Sequence, residues 1–264
     1  MRIGGTAVWD LLDCRRRVIS ALLLREVISR FGRENFAFGW LILEPLLFVF
    51  PVLTMWSYIR VSEAHGIKMT AVSWTGYLPL MLYRHCGSTM IHSVSTNGAI
   101  FYHRPISILD FFLARIGVEV LSNLAAVIFS LVILSVVAGM ETPRDWPTFM
   151  LGYFYMIWWC ASVALIVGAY SEYTVWVEKI WMPAGYMYIA VSGCFYLADW
   201  LPPSVRYWAL CQPSLQAYEM IRAGMFGPAA RTYADYLYTP EVLAVLTLLG
   251  LWGIYNVRSR IQAG

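Results

Sequence analysis

The sequence predicts an all-α polytopic membrane protein: six transmembrane helices, an N-terminal interfacial amphipathic helix, and re-entrant helices on the outer side before the last span. Three observations carry this. The chain is 59% hydrophobic and 16% aromatic but only 13% charged, against about 25% charged for an ordinary soluble domain, so it has more apolar surface than a water-facing fold needs. Residues 36–59 form an apolar run whose only formal charge is Glu44, and roughly 20 helical residues suffice to cross a hydrocarbon layer. The basic residues, finally, are spread unevenly around that run and the apolar runs after it.

Residues 8–31 contain neither Gly nor Pro and are rich in Leu, Arg, Val and Ile, which predicts a helix. Leu12, Ile19 and Leu23 share one side of it, with Arg16 and Glu26 close by, so the apolar stripe is imperfect. Its charge and position beside a span place it at the cytoplasmic headgroup layer, where its arginines either bind anionic lipid or only fix orientation. The first 35 residues carry seven arginines interleaved with apolar residues rather than one compact apolar core. No cleavable signal is therefore expected, and the first span serves as the insertion signal.

Five further spans are predicted at 72–95, 111–138, 148–170, 178–198 and 240–257; Arg84, His85, His92, Arg115 and Glu119 interrupt the first two of these. Six spans return both ends to one side. The segments assigned to that side hold 12 of the 19 Lys and Arg residues, against 6 in the opposite loops, which makes it the cytoplasm. Residues 199–230 are too broken by Pro202, Pro203, Pro213 and Pro228 to span, yet too apolar and aromatic to lie wholly in water. They read as two short helices dipping into the outer half of the membrane, or as a folded external cap. With no internal repeat, 1–264 is one membrane domain.

Much chemistry is excluded. No G-x-x-x-x-G-K-[ST] is present, nor H-E-x-x-H, nor a G-x-S-x-G elbow. Cys14, Cys86, Cys160, Cys194 and Cys211 are scattered without C-x-x-C spacing, so neither a zinc site nor a disulfide framework is expected. His65, His85, His92 and His103 form no recognisable metal cluster. The net charge of +3 is too small to suggest nucleic acid. No catalytic residue and no cofactor of the chain itself are expected.

R-F-G-R at 30–33 followed by W-L-I-L-E-P at 40–45, then T-G-Y-L-P at 75–79 and Q-P-S-L-Q-A-Y-E-M-I-R at 212–222, resemble the ABC-2-type exporter permeases of the capsular polysaccharide export family. Where that family places a glycine three residues before the tryptophan, Ala37 stands here and Gly39 adjoins Trp40, a departure that bears on helix packing. The resemblance implies a homodimeric pore in the inner membrane, partnered by two copies of a separate ATPase that holds the ATP and magnesium. It also implies an acidic, lipid-linked polysaccharide as substrate, with periplasmic and outer-membrane partners beyond.

For such a permease, force enters through a cytoplasmic protrusion, and 97–110 fits it. Phe101 and Tyr102 are its anchors, His103, Arg104 and Ile106 further contacts, and Pro105 a rigid stop; the family's coupling helix sits here. Arg84 and Arg115 are costly in a bilayer and are expected to face protein. Arg84 either pairs with Glu119 or Glu44, or with His85 attracts carboxylates of the sugar or a phosphate of its anchor. Arg30 and Arg33 are candidates for the anchor's headgroup. Tyr77, Tyr83, Tyr153, Tyr155, Trp158 and Trp159 line a sugar path or serve as interfacial belt. An O-antigen exporter, a membrane enzyme acting on lipid-linked sugars and an envelope scaffold are the alternatives.

Overall fold

A computed structural model describes residues 4–31, 63–64, 67–98, 101 and 106–261, together with single positions between 43 and 55. The first predicted span, 36–59, therefore lies mostly outside the described residues, although Leu46 is buried in the core. The elements are α1 (Gly4–Phe31), β1 (Glu63–Ala64), β2 (Ile67–Lys68), α2 (Met69–Met90), α3 (Ser93–Thr96), α4 (Ile108–Ala138), α5 (Trp146–Ser171), α6 (Trp176–Val191), α7 (Pro203–Leu210), α8 (Pro213–Phe226) and α9 (Tyr238–Ile261). The two strands form a small antiparallel ladder in which Glu63 faces Lys68. That ladder marks one end of the bundle; α3 and the turn after α5 mark the other, which we call the α3 end.

Three helices, at Ile108–Val137, Trp146–Ser171 and Tyr238–Val257, are long and apolar enough to cross a membrane. The protein is an all-α membrane protein. Exposure agrees with that reading, since Val136, Val137 and Ile128 on α4 and Leu248, Trp252 and Tyr255 on α9 are all at least 60% exposed. Apolar faces of this extent need lipid or another protein surface. The 31 residues of α4 extend about 46 Å, more than a hydrocarbon core of about 30 Å. Its excess carries the charges Asp110, Arg115 and Glu119 at the α3 end.

The other predicted spans differ in detail. α2 is 22 residues long and contains Pro79; its carbonyls near the proline are taken by side chains, Gly76 by the Tyr218 hydroxyl at 3.0 Å and Leu78 by Asn123 Nδ2 at 2.7 Å. α6 is 16 residues, about 24 Å, and ends at Val191 instead of continuing to residue 198. A positive φ of 85° at Gly193 turns the chain there. The predicted helix over 8–31 begins earlier, at Gly4, and among its described side chains Leu22, Glu26 and Val27 are buried. Of the proline-broken segment, 203–210 and 213–226 are indeed two short helices.

α5 is the centre of the bundle, packed against α8, α9 and α2. Its contact with α8 is backbone to backbone. A Cβ added at Gly152 would stand 2.5 Å from Ile221 N, and one added at Gly224 would overlap Phe149 N. The axes are this close because both helices present a hydrogen atom at the crossing.

Two outcomes follow from this packing. Gly152→Val and Gly224→Val force the axes apart, with an expected destabilisation of about 1–3 kcal/mol each, read as a fall in the thermal midpoint of the detergent-purified protein. The second concerns Asp235, whose carboxylate accepts the Leu237 and Tyr238 N–H groups at the start of α9. These bonds hold its pKa below the usual aspartate value. The cap is intact above the ordinary carboxylate range and is lost as pH falls through the depressed pKa, so exchange protection of those two amides should fall on acidification in wild type and not respond to pH in Asp235→Ala.

Candidate functional site

Residues 81, 84, 85 and 88 recur at the spacing of one helical face. On α2 that face carries Met81, Arg84, His85 and Ser88, and across from it α6 presents Trp181, Met182 and Gly185; together they enclose a cleft of about 300 Å³. Two glycines shape it. Gly87 lets the Trp181 ring lie directly on α2, where a Cβ would overlap the indole, whereas nothing lies within 4 Å of a Cβ added at Gly185. Behind this wall Tyr83 stacks on Tyr188 at 4.2 Å and meets Trp181 at 5.3 Å.

Arg84 is half-buried on this face, with its guanidinium 4.9 Å from the Tyr186 ring centroid. It sits about 9 Å from the α3 end of α2. An arginine at the centre of a bilayer costs about 2.5–3.5 kcal/mol and less near the end of a helix. An exposed cation–π contact returns only about 0.5–1 kcal/mol. The sequence left Glu119 open as a partner for Arg84, but Glu119 lies against His85, Nδ1 to Oε2 at 3.6 Å. Glu44 lies outside the described residues.

Arg115 has a different fate. Its Nε stands 3.1 Å from Glu26 Oε1 and its Nη1 donates to the Thr89 carbonyl at 2.7 Å. This buried pair pins α1 to α4 and to the end of α2. In this arrangement the Arg115 guanidinium lies between a carboxylate and a carbonyl of its own chain.

The α3 end continues into the expected coupling segment. His92 adopts a positive φ of 50°, and its N–H donates to Ser171 Oγ at 3.0 Å. Val94 N–H donates to the Glu172 carboxylate at 2.9 Å, while His92 Nε2 lies 3.5 Å from Glu178. The segment therefore leaves from a base tied to the turn between α5 and α6. Phe101 packs edge-on against Phe111 at 5.3 Å and Ile106 is half-buried. Tyr102, His103, Arg104 and Pro105, like Arg33 and the Arg30 side chain, lie outside the described residues.

The aromatic candidates divide. Tyr83 and Tyr153 are buried within the subunit, the latter packed on Phe149, so neither ring is free to meet a substrate in this arrangement. Tyr77, Tyr155, Trp158 and Trp159 are half-buried, with Trp158 Nε1 donating to Thr247 Oγ1 on α9 at 2.8 Å.

Sequence reasoning missed two features. One is the α6 wall, because nothing in the order of residues says that Trp181 and Gly185 face Arg84. The other is the work of the 212–222 motif. Glu219 accepts the N–H groups of Ala198 and Tyr233 at 3.0 and 3.1 Å, and Arg222 donates to the carbonyls of Tyr196 and Cys194. Gln216 donates to Leu210 O and accepts from Asp235 N–H. Charged residues at i and i+3 in a proline-flanked apolar stretch were the available signal. Among the described residues no three His, Cys, Asp or Glu side chains gather to hold a metal.

A helical bundle with three helices long and apolar enough to cross a bilayer defines the chain's class: an integral membrane protein. Its relatives make this particular. The chain is 34% identical over 246 residues to the capsule polysaccharide export inner-membrane protein CtrC of Neisseria meningitidis serogroup B, covering 93% of each. It is 32% identical over 251 residues to the corresponding protein BexB of Haemophilus influenzae, covering 95% of each. The polysialic acid transport protein KpsM of Escherichia coli matches at 26% over 121 residues, 46% of this chain. No family model matches. The chain belongs to the family of capsule polysaccharide export inner-membrane proteins.

The Glu26–Arg115 pair is testable. Glu26→Gln leaves a buried guanidinium without its carboxylate, and breaking such a pair costs about 3–5 kcal/mol. Folded yield and thermal midpoint should drop in that variant and recover in Glu26→Leu/Arg115→Met; equal behaviour of single and double variants would show that α1 is held some other way.

Proposed function

We propose that the chain is the transmembrane permease subunit of an ATP-driven ABC exporter, moving a lipid-linked acidic capsular polysaccharide from the cytoplasmic face across the inner membrane. The observation that carries this is similarity to CtrC and BexB along nearly the whole of both chains. In this reading 1–264 is one transmembrane domain with six spans and both termini cytoplasmic. α1 lies at the inner headgroup layer, 36–59 is the first span, α2, α4 and α5 follow, α6 with the chain after it is the fifth, and α9 is the last. α7 and α8, within 199–230, dip from the periplasmic side.

The subunit works as a homodimer with two copies of a partner ATPase, which supplies the ATP and magnesium chemistry. Periplasmic and outer-membrane proteins continue the route. Residues 97–110 form the coupling protrusion, with Tyr102, His103, Arg104 and Pro105 in the ATPase groove. A push there reaches α5 and α6 through the Glu172 and Ser171 contacts to α3. Arg84 and His85 meet the substrate or its anchor, Arg30 and Arg33 the anchor's headgroup.

The test is complementation of a strain lacking the chain. Tyr102→Ala/Arg104→Glu avoids Phe101, whose ring packs on Phe111. It should insert normally but lose copurification with the ATPase and at least about tenfold of surface polymer, as expected for loss of an anchor worth about 2 kcal/mol. Normal surface polymer in cells without the chain would sink the permease reading.

A further inference from the structure

We propose that the cleft between the β-ladder and the end of α8 is a docking site for another protein, taking an extended peptide segment in which one large apolar side chain is flanked by carboxylates. The proposal rests on the permease reading only for its side of the membrane: in that topology the β-ladder end faces the periplasm, so the partner is an envelope protein outside the cytoplasm.

The walls come first. Three parts of the chain meet here: β2 with Lys68, the loop from α4 to α5 with Met140, Glu141 and Arg144, and the end of α8 with Met225 and Phe226, enclosing about 210 Å³. Backbone bonds and turns fix them. Gly139, at a φ of 58°, ends α4, and Met140 N–H donates to Leu134 O at 3.1 Å. Asp145 N–H donates to Gly224 O at 2.9 Å, which ties the loop to α8. Gly227, at a φ of 55°, turns the chain beside the Arg144 side chain. A cleft held in this way is preformed, so a ligand does not have to order it.

Its floor is apolar and its rim charged. Met140, Met225 and Phe226 are buried, while Lys68, Glu141 and Arg144 are exposed. Two thioethers beside an aromatic ring form an adaptable surface for an apolar anchor from another protein. Size selects among guests, because small-molecule sites run to about 300–1,000 Å³, whereas about 210 Å³ suits one side chain and has no room for the two acyl chains of a phospholipid. The rim carries two cations against one acid. Arg144 Nη2 donates to Glu141 at 3.0 Å, with both side chains at least half in solvent. An exposed pair of this kind contributes little, so the guanidinium can exchange Glu141 for a partner's carboxylate. Glu63, which faces Lys68 across the ladder, is the second acid a partner has to outbid.

The experiment is methyl NMR of the full-length protein carrying isotope-labelled methionine, in phosphatidylcholine nanodiscs, titrated with the peptide acetyl-Gly-Asp-Phe-Glu-Gly-amide. One control peptide has alanine in place of the phenylalanine, and the other has lysine in place of both acids. Saturable shifts of the Met140 and Met225 methyls, identified by their loss in Met140→Leu and Met225→Leu, are expected with the first peptide, and binding at least about tenfold weaker with either control. Lys68→Gln/Arg144→Gln should weaken binding about tenfold. Glu63→Gln and Glu141→Gln remove the competing carboxylates and should strengthen it. Ala229→Phe fills the cleft from its exposed edge and should abolish the shifts with the thermal midpoint in place; Ala229→Leu supplies a graded version should phenylalanine perturb folding. In cells, Lys68→Glu/Arg144→Glu should insert and copurify with the ATPase but lose at least about tenfold of surface polymer.

Absence of shifts at the two methyls, equal binding of the lysine peptide, or unchanged binding in Lys68→Gln/Arg144→Gln overturns the proposal. So does wild-type surface polymer in the charge-reversed chain. If phosphatidylglycerol in place of phosphatidylcholine produces the same shifts without peptide, the cleft belongs to lipid; if Ala229→Cys crosslinks between two copies in high yield, it belongs to a second subunit. Either result also overturns the proposal. Failure of the peptide leaves the permease reading standing wherever the wild-type chain complements export, and failure of complementation removes that reading whatever the cleft binds.

Discussion

A backbone group that leaves regular helix inside an apolar medium must find a partner in the protein, because no water is there to supply one. This requirement organises the end of the bundle that carries α7 and α8. The chain turns after α6, forms a short 3-10 segment at Ala198–Trp200 and continues through two brief helices. Each irregular piece is met by a side chain. Glu219 takes the N–H groups of Ala198 and Tyr233, and Arg222 takes the carbonyls of Cys194 and Tyr196. Arg206 takes those of Ala198, Asp199 and Leu201. Without these bonds the broken segment has no stable place against the spans.

The same requirement explains why two motifs far apart in the chain belong together. Pro79 interrupts the hydrogen-bond ladder of α2, and Tyr218, from the second motif, donates to the carbonyl of Gly76 in the first. A Cβ at Gly76 would overlap the Cys194 carbonyl, itself a partner of Arg222. T-G-Y-L-P and Q-P-S-L-Q-A-Y-E-M-I-R are thus halves of one polar joint. Their charged and aromatic residues hold backbone of the same chain.

Arg84 and Arg115 show how differently two arginines of one bundle are partnered. Both are arginines on apolar helices near the α3 end. Arg115 is held by Glu26 and the Thr89 carbonyl and ties three helices together. Among the described residues Arg84 has the face of Tyr186 beside it and a cleft in front. Breaking the first arrangement would remove a tie between α1, α4 and α2. The ties from α3 to Ser171 and Glu172 add a rigid base under the segment that leads to α4.

Read alone, the sequence determined the solvent and the class. A 13% charged, 59% hydrophobic chain declares an all-α membrane protein, since burial free energy scales with apolar area and is indifferent to which helix sits beside which. The helices at 108–138, 146–171 and 238–261, and the pair of short helices after residue 199, were legible from run length and prolines, which act locally. Arg84 and His85 were legible as costly residues needing a reason. Only the tertiary structure decided that Glu119 turns to His85, that Glu26 answers Arg115, and that Trp181 and Gly185 close a cleft over Arg84. Those outcomes depend on distances between helices, set by where Gly87, Gly152 and Gly224 allow the axes to approach, and no pattern within a single helix encodes its neighbour.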